Sequence, residues 1–523
     1  TGSKPQNQTQ QNANAALDQN ANGGQTSANA SLSSNALRTQ NAQGADSSAA
    51  SGTANNGVGQ ANSTGAQKLP NVNPTGAQKF QVAAAVGLNI TNHKATTTVA
   101  GNVSGANVRI FSTNHGNFKT LGTGMAMSQA RNANSIAAAV AISVDGNEAI
   151  TLVSGDITAK KTEKSGTTLG DVQFESDLTQ NMDGAYKGLL AAQALAGAVS
   201  GAGKVSIAGS LAIVVDNAKS KVIVAMLDGN GNDIATKSNN IRIEGGNIRI
   251  SASDKTKLAI RAGGVSLSKG SKAGVGAAFG LVYGNDQVTV QIGNYTDIRG
   301  ESLEITANKL RVDRSDFESA IQAGTFITDT SKLTDEEKAN AKTGFINLDK
   351  RGEDGSYTLD VNVSTSDALS LVNALNVFSS ANYYVDAVAG SIMSSPASAT
   401  GTSSASVAGS VAMIFFKNQV LAQLGRGVCV TLTGDKSQNP GMTLEAKDDA
   451  NVRVLAGSLS AAPSKAGVGV TVGCVSNQDV VEASLGDDCV ILVQKGGYNQ
   501  TASGAFDVMV VTVAASASTG TAP

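Results

Sequence analysis

Tryptophan is absent from this 523-residue chain, and aromatic residues make up only 4% of it. Sugar sites usually offer an apolar or aromatic platform, so the shortage disfavours a glycan-processing enzyme. Histidine occurs twice, at His93 and His115, which leaves little for a His-based metal site or a catalytic triad. Cys429, Cys474 and Cys489 are too few for a disulfide framework, and their odd number leaves at least one free thiol. Charged residues are 15%, against about 25% in ordinary globular domains. The formal net charge of −2 provides no global field to steer nucleic acid or an anionic membrane. No apolar run is long enough for a transmembrane helix. The chain opens on Thr1 without a signal-peptide pattern, which predicts a processed or excised piece of something longer.

What the chain does have is Ala, Val and 58 Gly, with a hydrophobic fraction of 41% that suffices for a core. Residues 1–79 are a low-complexity Gln/Asn/Ala/Ser-rich loop or linker with almost no branched apolar residues, too few to offset the entropy of ordering. From about residue 80 to 515, short Val/Ile/Ala/Gly runs alternate with polar residues and turn formers. Residues 516–523 read as the start of a next linker.

Internal repeats organise this region. The clearest pair is Lys272–Asn285 and Lys465–Asn477, with related arms at Val205–Asn217 and Val407–Asn418 and degenerate copies at Val82–Asn92 and Ile136–Asn147. Each arm ends in Asn: Asn92, Asn147, Asn217, Asn285, Asn418 and Asn477. A second strand runs to Gly, as in Val288–Gly293, Leu421–Gly425 and Val481–Gly486, with Gly101, Gly155 and Gly229 as counterparts elsewhere. A third strand and an Asp-containing turn, such as Asp448-Asp449, lead to the next arm. One such unit cannot bury its own apolar face, but stacked units share a core, so the pattern predicts a single elongated parallel β-helix. Small side chains suit rungs about 4.8 Å apart. The repeated Asn fits a structural role, holding a positive-φ or Asx-turn corner and hydrogen-bonding up the stack. With two or three coils per unit, the axis would be roughly 60–85 Å.

Short helical insertions interrupt the rungs at about 178–198, at 334–342 after a Thr334–Glu337 capping box, and at 367–375. The largest and most charged excursion, 315–366, carries Asp335, Glu336, Glu337, Lys350, Arg351, Glu353 and Asp354. Binding on a rigid scaffold concentrates in loops, so these are the candidate interaction residues.

The six Ala/Gly/Val-rich arms ending in Asn, with the Leu-Gly or Ile-Gly strand that follows, resemble the repeats of very large bacterial surface adhesins with β-solenoid shafts, of the filamentous-haemagglutinin-like kind. The resemblance implies an all-β, right-handed parallel β-helix, export from a bacterial cell to its surface or surroundings, and a role in cell-surface adhesion or the extracellular matrix. Its partners would be a host or neighbouring cell surface, matrix, or other copies of the chain, with no nucleic acid and no membrane insertion. A self-assembling fibre or sheath subunit and a polysaccharide-active β-helix enzyme stand as alternatives.

No enzyme chemistry emerges from the residues. Asp487-Asp488 and Asp448-Asp449 read as solvated turns rather than an acid/base pair. The Asp228–Asp233 turn superficially resembles a calcium loop, but the twelfth position from Asp228 is Asn239 rather than Glu. Asp228 and Asp233 are therefore weak cation candidates, and no cofactor is expected otherwise. Cys429 and Cys489 fall at similar places one unit apart; two coils between them would put them beyond disulfide reach. Cys474, in an apolar arm, is expected to be buried.

Overall fold

A computed structural model describes residues 80–131, 134–163, 166–182, 191–202, 205–269, 273–312, 346–347, 375–376, 381–394, 405–434, 441–462 and 466–518. The described chain is all-β. It traverses the same four sheets in the same order six times. Sheet A holds the Asn-terminated arms Phe80–Thr91, Asn134–Asp145, Val205–Asp216, Ala273–Gly284, Ala405–Phe416 and Ala466–Asn477. Sheet B holds the six-residue strands from Lys94–Val99 to Val480–Leu485. Sheet C holds short strands from Val103–Gly105 to Val490–Val493. Sheet D takes the longest stretch of each pass. It is split in two in the first four passes, as in Asn247–Thr256 and Leu258–Lys269, and continuous in Gly441–Ala462 and Gly497–Ser518.

Pairing between passes is parallel and in register. Val82 faces Ile136, Ile136 faces Ile207, Ile207 faces Val275, Val275 faces Val407, and Val407 faces Val468. Each repeat unit is therefore one pass, not two or three coils. Five steps of about 4.8 Å give a stack only about 24 Å deep, which corrects the longer axis expected from the sequence. Most strands of sheet C and of the second half of sheet D lie in the apparent loops, so a single pass takes up the whole unit. The only antiparallel contacts among the described residues are a flap of Gly166–Leu169 on Ile157–Glu163 and a bridge from Leu227 to Asp233.

No helix occurs among the described residues. Of the helix expected at 178–198, residues 183–190 lie outside the described residues, and the described ends belong to strands Val172–Gln180 and Ala192–Ala202. Ala192, Ala194, Ala196 and Ala198 alternate into the core, a period-2 pattern that Ala-rich composition disguises. Stacking on neighbouring passes overrides alanine's helix propensity. The helices expected at 334–342 and 367–374 lie outside the described residues, while Leu375–Asn376 pairs as a strand with Ile346–Asn347.

Two apolar cores fill the interior. One is rich in Val, Ile and Leu, and lies between sheets B and C and the first half of sheet D, with Val222, Val290, Ile298, Val430, Ile250 and Leu444 in it. The other is a thin layer between sheet A and the second half of sheet D, built mainly from Ala, such as Ala139, Ala196, Ala212, Ala262, Ala387 and Ala408. The sheets come close enough there to require glycine: a Cβ on Gly276 would lie 2.1 Å from the Gly390 carbonyl oxygen. Serines pin the two layers together. Ser266 Oγ donates to the Ser206 carbonyl at 2.8 Å, and Ser460 Oγ to the Ser406 carbonyl at 2.7 Å. This thin layer is the physical reason the chain has so few aromatics.

Gly276→Ala should therefore cost about 1–3 kcal/mol through overpacking. Gly209→Ala, on the adjacent strand but with open space around its Cβ, should change stability by less than about 0.5 kcal/mol. Urea denaturation midpoints of the two variants check this, and equal losses would contradict the close approach.

Candidate functional site

Between the two cores runs a polar waist, where sheet A turns into sheet B and sheet D bends opposite. Three stacked positions build it. The strands of sheet A end on Thr91, Asp145, Asp216, Gly284, Phe416 and Asn477, one per pass. Across from them on sheet D stand Asn114, Leu178, Asp254, Lys309 and Asp448. The corner two residues beyond the first position supplies Asn147, Asp286, Asn418 and Asp479.

Lys309 is the centre. It lies on the strand between those of Asp254 and Asp448, and all three side chains are fully buried. Its Nζ donates to Asp254 Oδ2 at 2.8 Å and, more closely still, to Asp286 Oδ2. Tyr383 donates its hydroxyl to the same Asp286 oxygen at 2.9 Å. The Tyr383 ring fits because Gly284 leaves room; a Cβ there would touch the ring at 3.0 Å. The ring stacks on Phe416 with centroids 5.2 Å apart. In the earlier passes amides take over: Gln180 Nε2 donates to Asp216 at 3.3 Å, and Asn147 Nδ2 donates to Asp145 at 3.0 Å and Gln180 Oε1 at 3.1 Å.

Burial of several carboxyls around a single ammonium sets the electrostatics. Desolvation works against the Lys309 charge, but Asp254 and Asp286 override it and hold its pKa well above the ordinary value. Burial pushes Asp216 well up, reinforced by Asp286 and Asp145, and lifts Asp145 to about 6. Burial raises Asp448 to about 8, against the pull of Lys309, with Asp479 adding to the rise. Neither Asp448 oxygen finds a donor, nor does Asp479 Oδ2. A proton held between these two carboxyls supplies the missing donor. Asp448 is thus no solvated turn residue: it points inward from the middle of strand Gly441–Ala462, while Asp449 reaches Lys447 at 3.6 Å.

The six repeat asparagines fall into three neighbouring positions rather than one. Asn92, Asn217 and Asn285 follow the last residue of the arm, Asn147 and Asn418 sit one residue further on, and Asn477 ends its strand. None adopts a positive φ. Their side chains bond along or between passes: Asn285 Nδ2 donates to Asn217 Oδ1 at 3.3 Å, Asn147 Oδ1 accepts from His93 N–H at 3.1 Å, and Asn418 Oδ1 from Asp286 N–H at 3.2 Å. Asn477 Oδ1 accepts from Asp479 N–H at 2.8 Å within its own pass. The strand-ending glycine has no equivalent at Gly101, Gly155 or Gly229; Ala100, Ser154 and Ala225 occupy that place in the first three passes.

A second asparagine set went unnoticed in the sequence because it lies in no recognisable repeat. Asn181, Asn382 and Asn451 stand where sheet D bends. Asn382 Oδ1 accepts from Val312 N–H at 3.2 Å, and its Nδ2 donates to the Leu310 carbonyl at 2.9 Å. Asn382 thereby ties the chain that precedes the large excursion to the strand that resumes beyond it. Asp335, Glu336, Glu337, Lys350, Arg351, Glu353 and Asp354 lie outside the described residues.

At the cation candidates, both carboxylates are turned onto N–H donors. Asp228 Oδ1 accepts from Asn230 and Asn232 N–H at 2.9 and 2.8 Å, and bonds from Asn232 hold its pKa below the usual range. Asp233 Oδ1 accepts from Ala235 N–H at 3.0 Å and its Oδ2 from Asn294 N–H at 2.5 Å. No group of three or more His, Cys, Asp or Glu that could hold a metal ion occurs among the described residues. Asp488 pairs with Arg426 at 3.0 Å on the surface. All three cysteines are free and half-buried. Cys474 is not buried as expected, because it faces outward on the last strand of sheet A. Cys429 lies opposite Val490, so Cys489 is only one pass away and one residue out of line, not two coils distant. No family model, curated protein or solved structure matches the chain.

Replacing Lys309 by Met leaves Asp254 and Asp286 buried without their cation and should cost about 3–5 kcal/mol, recovered in part by adding Asp254→Asn and Asp286→Asn. Denaturation of the single and triple variants tests this; an unaffected K309M would mean the waist carries no net charge.

Asp448 gives a pH dependence of definite sign. In the unfolded chain it ionises near pH 4, and in the folded chain at about 8. Between those values the folded state holds the extra proton, so stability falls as pH rises through this window and levels off above it. Asp448→Asn should flatten the slope by up to about one proton. Urea midpoints at pH 5 and pH 8 measure it, and an unchanged difference would contradict the shared proton.

Proposed function

We propose that the chain is a segment of a secreted bacterial β-solenoid, a rigid shaft acting in cell-surface adhesion or the extracellular matrix. The observation that carries this reading is the in-register repetition itself: six passes, each extending the same four sheets in the same order. Such a stack transmits load through lateral strand pairing and shared cores, and it lengthens by adding passes without redesign. The finer geometry, a closed right-handed β-helix, belongs to the same proposal. So does an extracellular or cell-surface location, with a host or neighbouring cell, matrix or further copies as partners and neither nucleic acid nor membrane insertion. No helix among the described residues is long and apolar enough to cross a membrane.

A catalytic reading has less support. The two carboxyls that face one another, Asp448 and Asp479, lie in or beside the waist rather than on an open groove. The fibre or sheath alternative draws on the unpaired edges of Phe80–Thr91 and Ala466–Asn477.

Beads coated with the chain should be retained on cell or matrix surfaces under flow far better than albumin-coated beads; equal retention would overturn the adhesive reading. The excursion at 315–366 supplies the recognition element in this proposal. Because Asn382 ties Leu310 and Val312 before the excursion to the strand that resumes after it, a short Gly/Ser linker can replace the excursion. The replaced chain should keep its far-UV spectrum and lose most of its retention. Full retention would move binding to the sheets.

A further inference from the structure

The outward face of sheet A is an apolar surface on which none of the described residues is seated. Each of its six strands has 12 residues, and alternate ones point away from the core. None of these outward positions carries a charge. At the centre stand Ile142, Leu211, Ile213, Phe279, Leu281 and Val411, all half-buried only by their neighbours. Toward the edges exposure rises, to 58% at Leu88 and 54% at Val470. The adjoining sheet B shows the contrast: its outward positions include Lys94, Lys221 and Glu482. On the far side of the thin layer, the outward residues Val265, Tyr384 and Leu455 of sheet D are buried. Among the described residues, sheet A is therefore the one broad apolar face left open.

Its size decides what it fits. Six strands spaced about 4.8 Å apart, each 12 residues of about 3.3 Å, span roughly 1,000 Å². The largest apolar patch on a typical monomer is about 300–600 Å², whereas a stable protein interface takes about 800 Å² from each partner. The low-complexity residues 1–79 have only Leu17, Leu32, Leu37, Val58, Leu69 and Val72 as branched apolar side chains, too few to cover it. A surface that is flat, uncharged and uniformly small-to-medium in side-chain size is complementary above all to itself, as two sheets pack face to face in a sandwich.

We propose that two copies of this chain associate through the outward faces of sheet A, in a two-fold interface that pairs two shafts side by side. The inference does not rest on the adhesive reading and would hold for any role of the shaft. A two-fold contact repeats every residue, so a change at the centre of the face acts twice. Leu211 and Phe279 lie opposite one another on the two central strands.

The test is sedimentation equilibrium of the full chain. The unmodified chain should form a dimer in the micromolar range, and Leu211→Glu/Phe279→Glu should weaken it at least about 100-fold. Gln291→Glu, on the exposed outward face of sheet B, should leave it unchanged. Far-UV spectra establish folding; should the charged pair unfold the chain, Leu211→Gln/Phe279→Gln serves with the same reading. A wild-type chain that stays monomeric at about 100 µM, or a folded double variant that dimerises as tightly, overturns the proposal. So does flotation of the monomer with phosphatidylcholine vesicles in place of dimerisation, which would give the face to lipid.

Discussion

Parallel in-register stacking places every inward side chain directly over its equivalent in the next pass, about 4.8 Å away. Like then lies on like. For Val, Ile and Ala this is favourable, and the two cores are columns of such residues. For charges it is not, since equal charges at that spacing repel inside a low-dielectric interior. The waist answers by changing residue from pass to pass. On sheet D the order is Asn114, Leu178, Asp254, Lys309, Asp448, so the one ammonium stands between two carboxyls. Farther from Lys309, at Asp145 and Asp216, burial raises the carboxyl pKa and amides from Asn147 and Gln180 supply donors.

The same constraint explains why the interior has two unlike halves. Around sheets B and C the chain turns often, and branched side chains from three directions meet at a common centre. Between sheet A and the second half of sheet D only two layers face each other. There the spacing admits Ala, Ser and Gly, and close contacts such as Gly276 on Gly390 fix how near the sheets can come. The waist separates these two spacings. It is also where chain can leave and return without breaking a rung, because Asn382 and Asn451 replace the backbone partners that an excursion removes.

Much of the architecture was legible in the residues. The arms from Val82–Asn92 to Lys465–Asn477 are the strands of sheet A, found because their Ala/Gly/Val texture repeats. Other features were not legible. Strands of three or four residues in sheet C are too short to show an alternation. Ala192–Ala202 looks helical because alanine, the strongest helix former, fills its inward positions. Asp448-Asp449 looks like a turn because two acids in sequence usually are, although Leu444, Ala446, Ala450 and Val452 keep the period-2 phase through them.

The sequence by itself determined that the chain repeats, that its strands are small-residue strands, and that one unit could be stable only against another. It also determined the charge-free outward pattern of sheet A, since alternation along a strand is a local property. Only the tertiary structure decided that a unit is a single pass, that Lys309 stands between Asp254 and Asp448, and which asparagines hold the stack. Those facts depend on which residue lies above which. Register between strands more than 50 residues apart is set by the sum of all the stacked contacts, not by any segment alone.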